Sequence, residues 1–135
     1  MIRELLIPKL LARFPSRGLR ISRESNPFAT FPADNEAVGN VRICDEGREA
    51  TVMVGTITHG HFSVHDANLS LEQTADQVAD DVLGFLDDLF ANRVVLWKSP
   101  DGASGGWHVL SREESLSSMD FKDHSFTWSG PVKNL

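Results

Sequence analysis

The chain has little cysteine and lacks long apolar runs, and each shortage excludes a class of protein. Cys44 is the only cysteine among 135 residues, so no disulfide can form within the chain and a reducing compartment is expected. No apolar run approaches the roughly 18 residues that a membrane-spanning helix needs. Glu4, Lys9 and Arg13 interrupt the apolar residues at the start, which argues against a secretory signal. We therefore predict a cytoplasmic protein without a membrane segment.

Basic residues are scarce beyond the first part of the chain. The net charge is −6, yet residues 1–23 hold six Lys or Arg against one Glu, a net of +5 that leaves −11 on the other 112 residues. Contact with nucleic-acid phosphates depends on clustered Lys and Arg, so the acidic body argues against a nucleic-acid partner. Two roles stay open for the basic N-terminal helix or arm of residues 1–23: folding back onto the acidic body, or contacting an external anionic partner.

Apolar spacing predicts two helices. The stronger pattern covers Ser70–Ala91, where Ser70 and Gln73 form a capping box and an apolar stripe follows at helical spacing. The stripe consists of Leu71, Ala75, Val78, Val82, Phe85, Leu86 and Leu89. Apolar residues recur at near-helical spacing between Ile2 and Phe14 as well. They predict a shorter helix at the N-terminus.

The remaining segments favour β-structure. We predict strands at Leu19–Ser22, Val38–Cys44, Glu49–Phe62, Val94–Lys98, Trp107–Leu110 and Ser125–Trp128. Together they predict a single α+β domain over residues 1–135, in which about five or six mostly antiparallel strands form a sheet. The long helix would pack on one face of this sheet, and residues 130–135 would form a frayed tail.

Three of the five histidines lie within Thr58–Asp66. Residues two apart on a strand point to the same side, so His59 and His61 share a face, and Gly60 between them lets another group approach the backbone closely. His65 and Asp66 follow the end of the strand and could complete a site for one divalent ion, most plausibly zinc. Three interpretations stay open: structural histidines, a metal or catalytic site, and a pH-sensitive contact.

Carboxylates fill the face of the long helix that is opposite to its apolar stripe. They are Glu72, Asp76, Asp80, Asp81, Asp87 and Asp88, and no Lys or Arg lies within the helix. Like charges four residues apart destabilise a helix by about 0.2–0.5 kcal/mol per pair. Three explanations of this acidic face stay open: docking to a basic partner, a solvated face, or pairing with the Arg-rich start of the same chain.

Two functional hypotheses follow from these features. The leading one is a non-enzymatic cytoplasmic protein-binding module, immunity- or inhibitor-like or accessory, with no cofactor and no catalytic residue. Its binding face for another protein with a basic surface would consist of Glu72, Asp76, Asp80 and Asp87. The alternative is a small metal-dependent hydrolase, in which His59 and His61 would bind zinc and either His65 or Asp66 would serve as third ligand or base.

The order of segments resembles that of small uncharacterised bacterial proteins. The likeness covers roughly Val38 to Trp107 and depends on the hairpin, Thr-His-Gly-His-Phe, the acidic helix, Val-Val-Leu-Trp and Gly-Gly-Trp. It implies a bacterial α+β domain and carries no activity. The stretch Thr58–His61 also resembles the opening of the metallo-β-lactamase metal motif. Ser63 and Val64 stand where that family has aspartate and histidine, so we reject this match.

Overall fold

Two helices and nine strands make up the part of the chain that the computed structural model describes, residues 1–116 and 124–132. In chain order they are α1 (Ile2–Arg13), β1 (Arg20–Ile21), β2 (Ala29–Phe31), β3 (Val41–Asp45), β4 (Ala50–Val54), β5 (Thr58–Phe62), α2 (Leu71–Phe90), β6 (Val94–Lys98), β7 (Gly105–Val109), β8 (His124–Thr127) and β9 (Gly130–Val132). The predicted α+β class is confirmed, with antiparallel pairing, a long helix and a shorter N-terminal helix.

The strands form two sheets, whereas the sequence predicted one. The first sheet has five strands in chain order, β1-β2-β3-β4-β5, and the second has the order β7-β6-β8-β9. The predicted hairpin of Val94–Lys98 with Trp107–Leu110 is present as β6 and β7. Strand β7 also contacts β5. The approach is close at Gly105, where a Cβ atom would lie 2.3 Å from the carbonyl oxygen of Ile57, the residue before β5. The two sheets therefore meet along β5 and β7.

The prediction of one strand over Glu49–Phe62 is wrong, because the chain turns back within this range. Strand β4 ends at Val54, β5 begins at Thr58, and these two residues face each other in an antiparallel pair. Gly55 lies in the turn with a φ of 52°, and a Cβ atom there would be 2.0 Å from the carbonyl oxygen of Val38. Glycine is the residue that permits both this φ and this close approach.

Helix α2 begins as the capping box predicted. The Ser70 hydroxyl accepts a hydrogen bond from the Gln73 N–H at 3.1 Å, and the Gln73 side chain accepts one from the Ser70 N–H at 2.9 Å. The predicted apolar stripe is buried except at Leu71, which is 58% exposed. The buried side of α2 contacts β4 and β5 of the first sheet.

Helix α1 packs against α2 and completes the hydrophobic core. Ile2, Leu6 and Leu10 have no exposed surface. Beyond the helix, Phe14 packs edge-to-face on Phe31 and on Phe90 of α2, with ring centroids 5.7 and 5.2 Å apart. The basic N-terminal segment is therefore anchored to the body of the protein by apolar contacts.

The expected frayed tail is partly ordered. Gly130–Val132 form β9, in which Val132 pairs with Ser125 of β8, while residues 133–135 lie outside the described residues. Neither helix in the described ranges is long and apolar enough to cross a membrane.

Candidate functional site

Carboxylates of α2 meet basic side chains of α1. The Lys9 Nζ atom donates hydrogen bonds to Asp76 Oδ1 at 2.9 Å and to Asp80 Oδ1 at 3.5 Å. The hydrogen bond to Asp76 is the largest cause that raises the pKa of Lys9. The Arg13 guanidinium donates two hydrogen bonds to Asp87, and the Nε–Oδ1 distance is 3.1 Å. Three of the four carboxylates assigned to the predicted binding face thus pair with the N-terminal helix of the same chain.

Anionic charge remains on α2 after these ion pairs. Asp76 and Asp80 share one lysine and keep 55% and 63% of their side-chain surface exposed. Glu72 is exposed and has no ion pair within residues 1–116 and 124–132. Because Glu72, Asp76 and Asp80 are four residues apart, they lie on one side of the helix. We call these three residues the acidic strip.

A groove of about 840 Å³ opens at the start of α2. The turn between β3 and β4 contributes residues 46–49, the segment between β5 and α2 contributes residues 63–67 and 69, and α2 itself contributes Leu71 and Thr74. A smaller pocket of about 140 Å³ shares Leu71 and Thr74 with it and reaches Met1, the residue before α1. We call the larger depression the α2 groove.

The α2 groove combines carboxylates with exposed apolar surface. Glu46, Glu49 and Asp66 line it, against a single arginine, Arg48. Leu71 is the most exposed large apolar side chain among the described residues, at 58%. An exposed leucine beside an excess of carboxylates provides a surface for basic and apolar side chains together.

The structure brings His59 and His61 together on one face of β5, as the strand spacing predicted. Their rings pack edge-to-face with centroids 5.3 Å apart. The Nδ1 atom of His61 lies 3.3 Å from Glu49 Oε1 and 3.2 Å from Thr51 Oγ1. His61 therefore has polar neighbours on β4 and in the turn that precedes it.

The structure places His65 and Asp66 differently from the histidine pair. Both line the α2 groove, where the Asp66 carboxylate accepts the Asn68 N–H at 2.9 Å and His65 Nε2 lies 3.3 Å from the Ser63 hydroxyl. Within residues 1–116 and 124–132, no three His, Cys, Asp or Glu side chains converge in a way that could hold a metal ion. His59, His61, His65 and Asp66, the four ligands proposed from the sequence, thus do not come together at one metal centre.

Gly60 allows a close approach, and the group that approaches is the indole of Trp107. A Cβ atom on Gly60 would lie 1.7 Å from Trp107 Cη2. The indole stacks on Phe62 with the ring planes 7° apart and packs against Phe85 of α2 at 4.8 Å between centroids. The glycine between the two histidines thus serves core packing on the inner side of the sheet, a role that the histidine pattern concealed.

Cys44 is buried and lies outside the α2 groove. It is 9% exposed, and burial, with a smaller effect of the Glu46 carboxylate, raises the pKa of its thiol. A raised pKa leaves less thiolate at mildly alkaline pH, so we expect Cys44 to react more slowly with a disulfide reagent such as DTNB in the folded protein than in the unfolded chain. Stopped-flow absorbance measures both rates, and equal rates would contradict a shielded, inert thiol.

We compared the chain with known proteins. No protein-family model, no curated protein and no solved structure matches it. A functional assignment therefore depends on the geometry and charge described above.

Proposed function

We propose that this protein is a non-enzymatic protein-binding module, inhibitor-like, immunity-like or accessory, that binds a basic segment of another protein. The segment would occupy the α2 groove and continue along the acidic strip, which begins at Glu72, directly after the groove residue Leu71. The observation that carries the proposal is an open groove of about 840 Å³ with three carboxylates and one arginine in its lining.

Charge complementarity supports a basic partner. Lys9 is the one cation that Asp76 and Asp80 share, and Glu72 has no ion pair within the described ranges. Lys or Arg side chains of a partner would meet this excess of negative charge. Exposed charges of this kind mainly accelerate association and set specificity, and salt weakens their effect.

Exposed apolar surface supports a protein partner. Leu71 lines both the groove and the adjoining pocket of about 140 Å³. The fold does not need an exposed leucine in the first turn of an acidic helix, so its exposure there calls for another explanation. Interface energy concentrates in a few apolar or aromatic anchors surrounded by polar groups. An apolar side chain of the partner, next to its basic residues, would bury Leu71 on binding.

The cytoplasm is the compartment we propose for this module. Cys44 is the chain's single cysteine, so it cannot form an internal disulfide, and it is buried as well. A protein without disulfides is typical of a reducing compartment.

The proposal is tested by mapping a basic peptide on the isotope-labelled full chain. We expect a short peptide of alternating lysine and leucine to shift the amide signals of residues 46–49 and 63–74, and a glutamate–leucine peptide to leave them unchanged. The double variant Glu46→Gln, Glu72→Gln removes two carboxylates that form no side-chain hydrogen bond or ion pair within the described ranges. It should weaken lysine–leucine binding about fivefold or more.

A charge-matched control is the variant Glu36→Gln, Asp81→Asn. Both carboxylates are exposed and lie outside the groove, and their removal should change the affinity by less than about twofold. Shifts that map to another surface, or equal losses in the control and the double variant, would overturn the assignment to the groove. The same variants can then be used to test proteins captured from a native lysate: a partner that binds the groove should be captured less by the double variant than by the control.

A further inference from the structure

The first sheet carries a row of side chains across all five of its strands. Arg20 faces Thr30, Thr30 faces Arg42, Arg42 faces Met53, and Met53 faces His59. Directly opposed residues of antiparallel strands project to the same side of a sheet. These five side chains therefore form one continuous line, which we call the basic row.

The basic row lies on the side of the sheet away from the helices. Ile43 and Val52, which neighbour the row along β3 and β4, point into the core and are 0% and 1% exposed. By contrast, Arg20, Arg42 and His59 are exposed. The outward face of the first sheet is thus accessible to a partner at Arg20, Arg42 and His59, whereas Thr30 and Met53 between them are half-buried.

The two arginines of the row have no partner within residues 1–116 and 124–132. In the N-terminal segment, by comparison, Lys9, Arg13 and Arg17 all form ion pairs with carboxylates of the same chain. Arg20 and Arg42 are two strands apart, which corresponds to roughly 10 Å. The row thus presents two separated, uncompensated guanidinium groups on a protein whose net charge is −6.

We propose that the basic row binds an acidic segment of a partner protein, at a surface separate from the α2 groove. Arginine and methionine are enriched in protein–protein interfaces, and a guanidinium group binds a carboxylate in a bidentate manner. Single-stranded nucleic acid is less well suited, because the row has no Phe, Tyr or Trp and offers only the imidazole of His59 for stacking on a base. The overall negative charge also disfavours contact with phosphates. This proposal does not depend on the function of the groove.

The test uses a short, fluorescently labelled, glutamate-rich peptide and the full chain, with fluorescence anisotropy at low salt. The variant Arg20→Gln, Arg42→Gln should weaken binding about fivefold or more, because two exposed ion pairs are lost. The control variant Arg23→Gln, Arg112→Gln removes the same charge from exposed positions outside both the row and the α2 groove. It should change the affinity by less than about twofold. Unchanged thermal unfolding of both variants confirms that the fold is intact.

Three results would overturn the proposal. The first is that the acidic peptide does not bind at all, or that it binds the variant Arg20→Gln, Arg42→Gln as tightly as the wild-type chain. The second is a single-stranded oligonucleotide that binds through the row while the acidic peptide does not, which would replace a protein partner with nucleic acid. The third is a concentration-dependent dimer of the wild-type chain that disappears in the row variant, which would make the row an interface between copies. Size-exclusion chromatography of the same samples detects this third result.

Discussion

Replacing Gly60 with alanine is expected to lower the free energy of unfolding by about 3 kcal/mol, the upper end for overpacking of a core. The added methyl group would lie 1.7 Å from Trp107 Cη2 and within 2.8 Å of two further indole atoms. Phe62 and Phe85 hold the indole in place, so it cannot move aside without breaking these ring contacts. Urea denaturation followed by circular dichroism measures the effect.

The same substitution at another glycine provides the control. A Cβ atom on Gly84, in the interior of α2, would meet no atom within 4 Å, so Gly84→Ala should stabilise the protein by about 0.5–1 kcal/mol.

The clash at Gly60 also predicts strong energetic coupling between Gly60 and Trp107. In a Trp107→Ala background, Gly60→Ala should cost less than about 1 kcal/mol, because the atoms it strikes are absent. An equal cost in both backgrounds would contradict this explanation.

Helix α2 could be predicted from the sequence because the information that specifies it is local. Ser70 and Gln73 are three residues apart and cap each other, and the apolar stripe follows the period of a helix. The pairing of β6 with β7 was also predictable, since a short glycine-rich segment joins the two strands. In both cases the interacting residues are close in the chain.

Contacts between distant residues could not be predicted in the same way. Lys9 reaches Asp76 across 67 positions and Arg13 reaches Asp87 across 74. The charge asymmetry allowed such pairing but did not distinguish it from docking to a partner. Similarly, the turn at Gly55 depends on the carbonyl oxygen of Val38, and a strand-like composition on both sides concealed it.

The candidate site was predictable in its components but not in its assembly. The spacing of His59 and His61 correctly indicated that they share a face, because strand geometry determines it. The path of the chain after β5 determines where His65 and Asp66 lie, and no local pattern encodes that path. The α2 groove is lined by residues 46–49, 63–67 and 69, Leu71 and Thr74, which come together only when the first sheet and α2 pack. Leu71 did not indicate the groove, because in the sequence it belongs to the apolar stripe and only the structure shows that it is exposed.

Leu10→Ala is expected to lower the free energy of unfolding by about 2–5 kcal/mol, as large-to-small substitutions in a core do. Leu10 has no exposed surface and belongs to the same core as α2 and the first sheet. The control is Leu11→Ala, in which the same side chain is removed from the next position, where it is 45% exposed. This change should cost about 0.5 kcal/mol or less. Denaturation of both variants in urea measures the contrast.

The ion pairs of α1 should matter far less than Leu10. Lys9→Ala removes the contacts with Asp76 and Asp80, yet exposed ion pairs contribute about 0–1 kcal/mol. A helix of this length is not stable alone in water, so apolar burial holds α1 on α2. A basic partner could therefore replace Lys9 on the carboxylates without displacing the helix. If Lys9→Ala destabilised the fold as much as Leu10→Ala does, the ion pairs would be structural, and Asp76 and Asp80 would not be available to a partner.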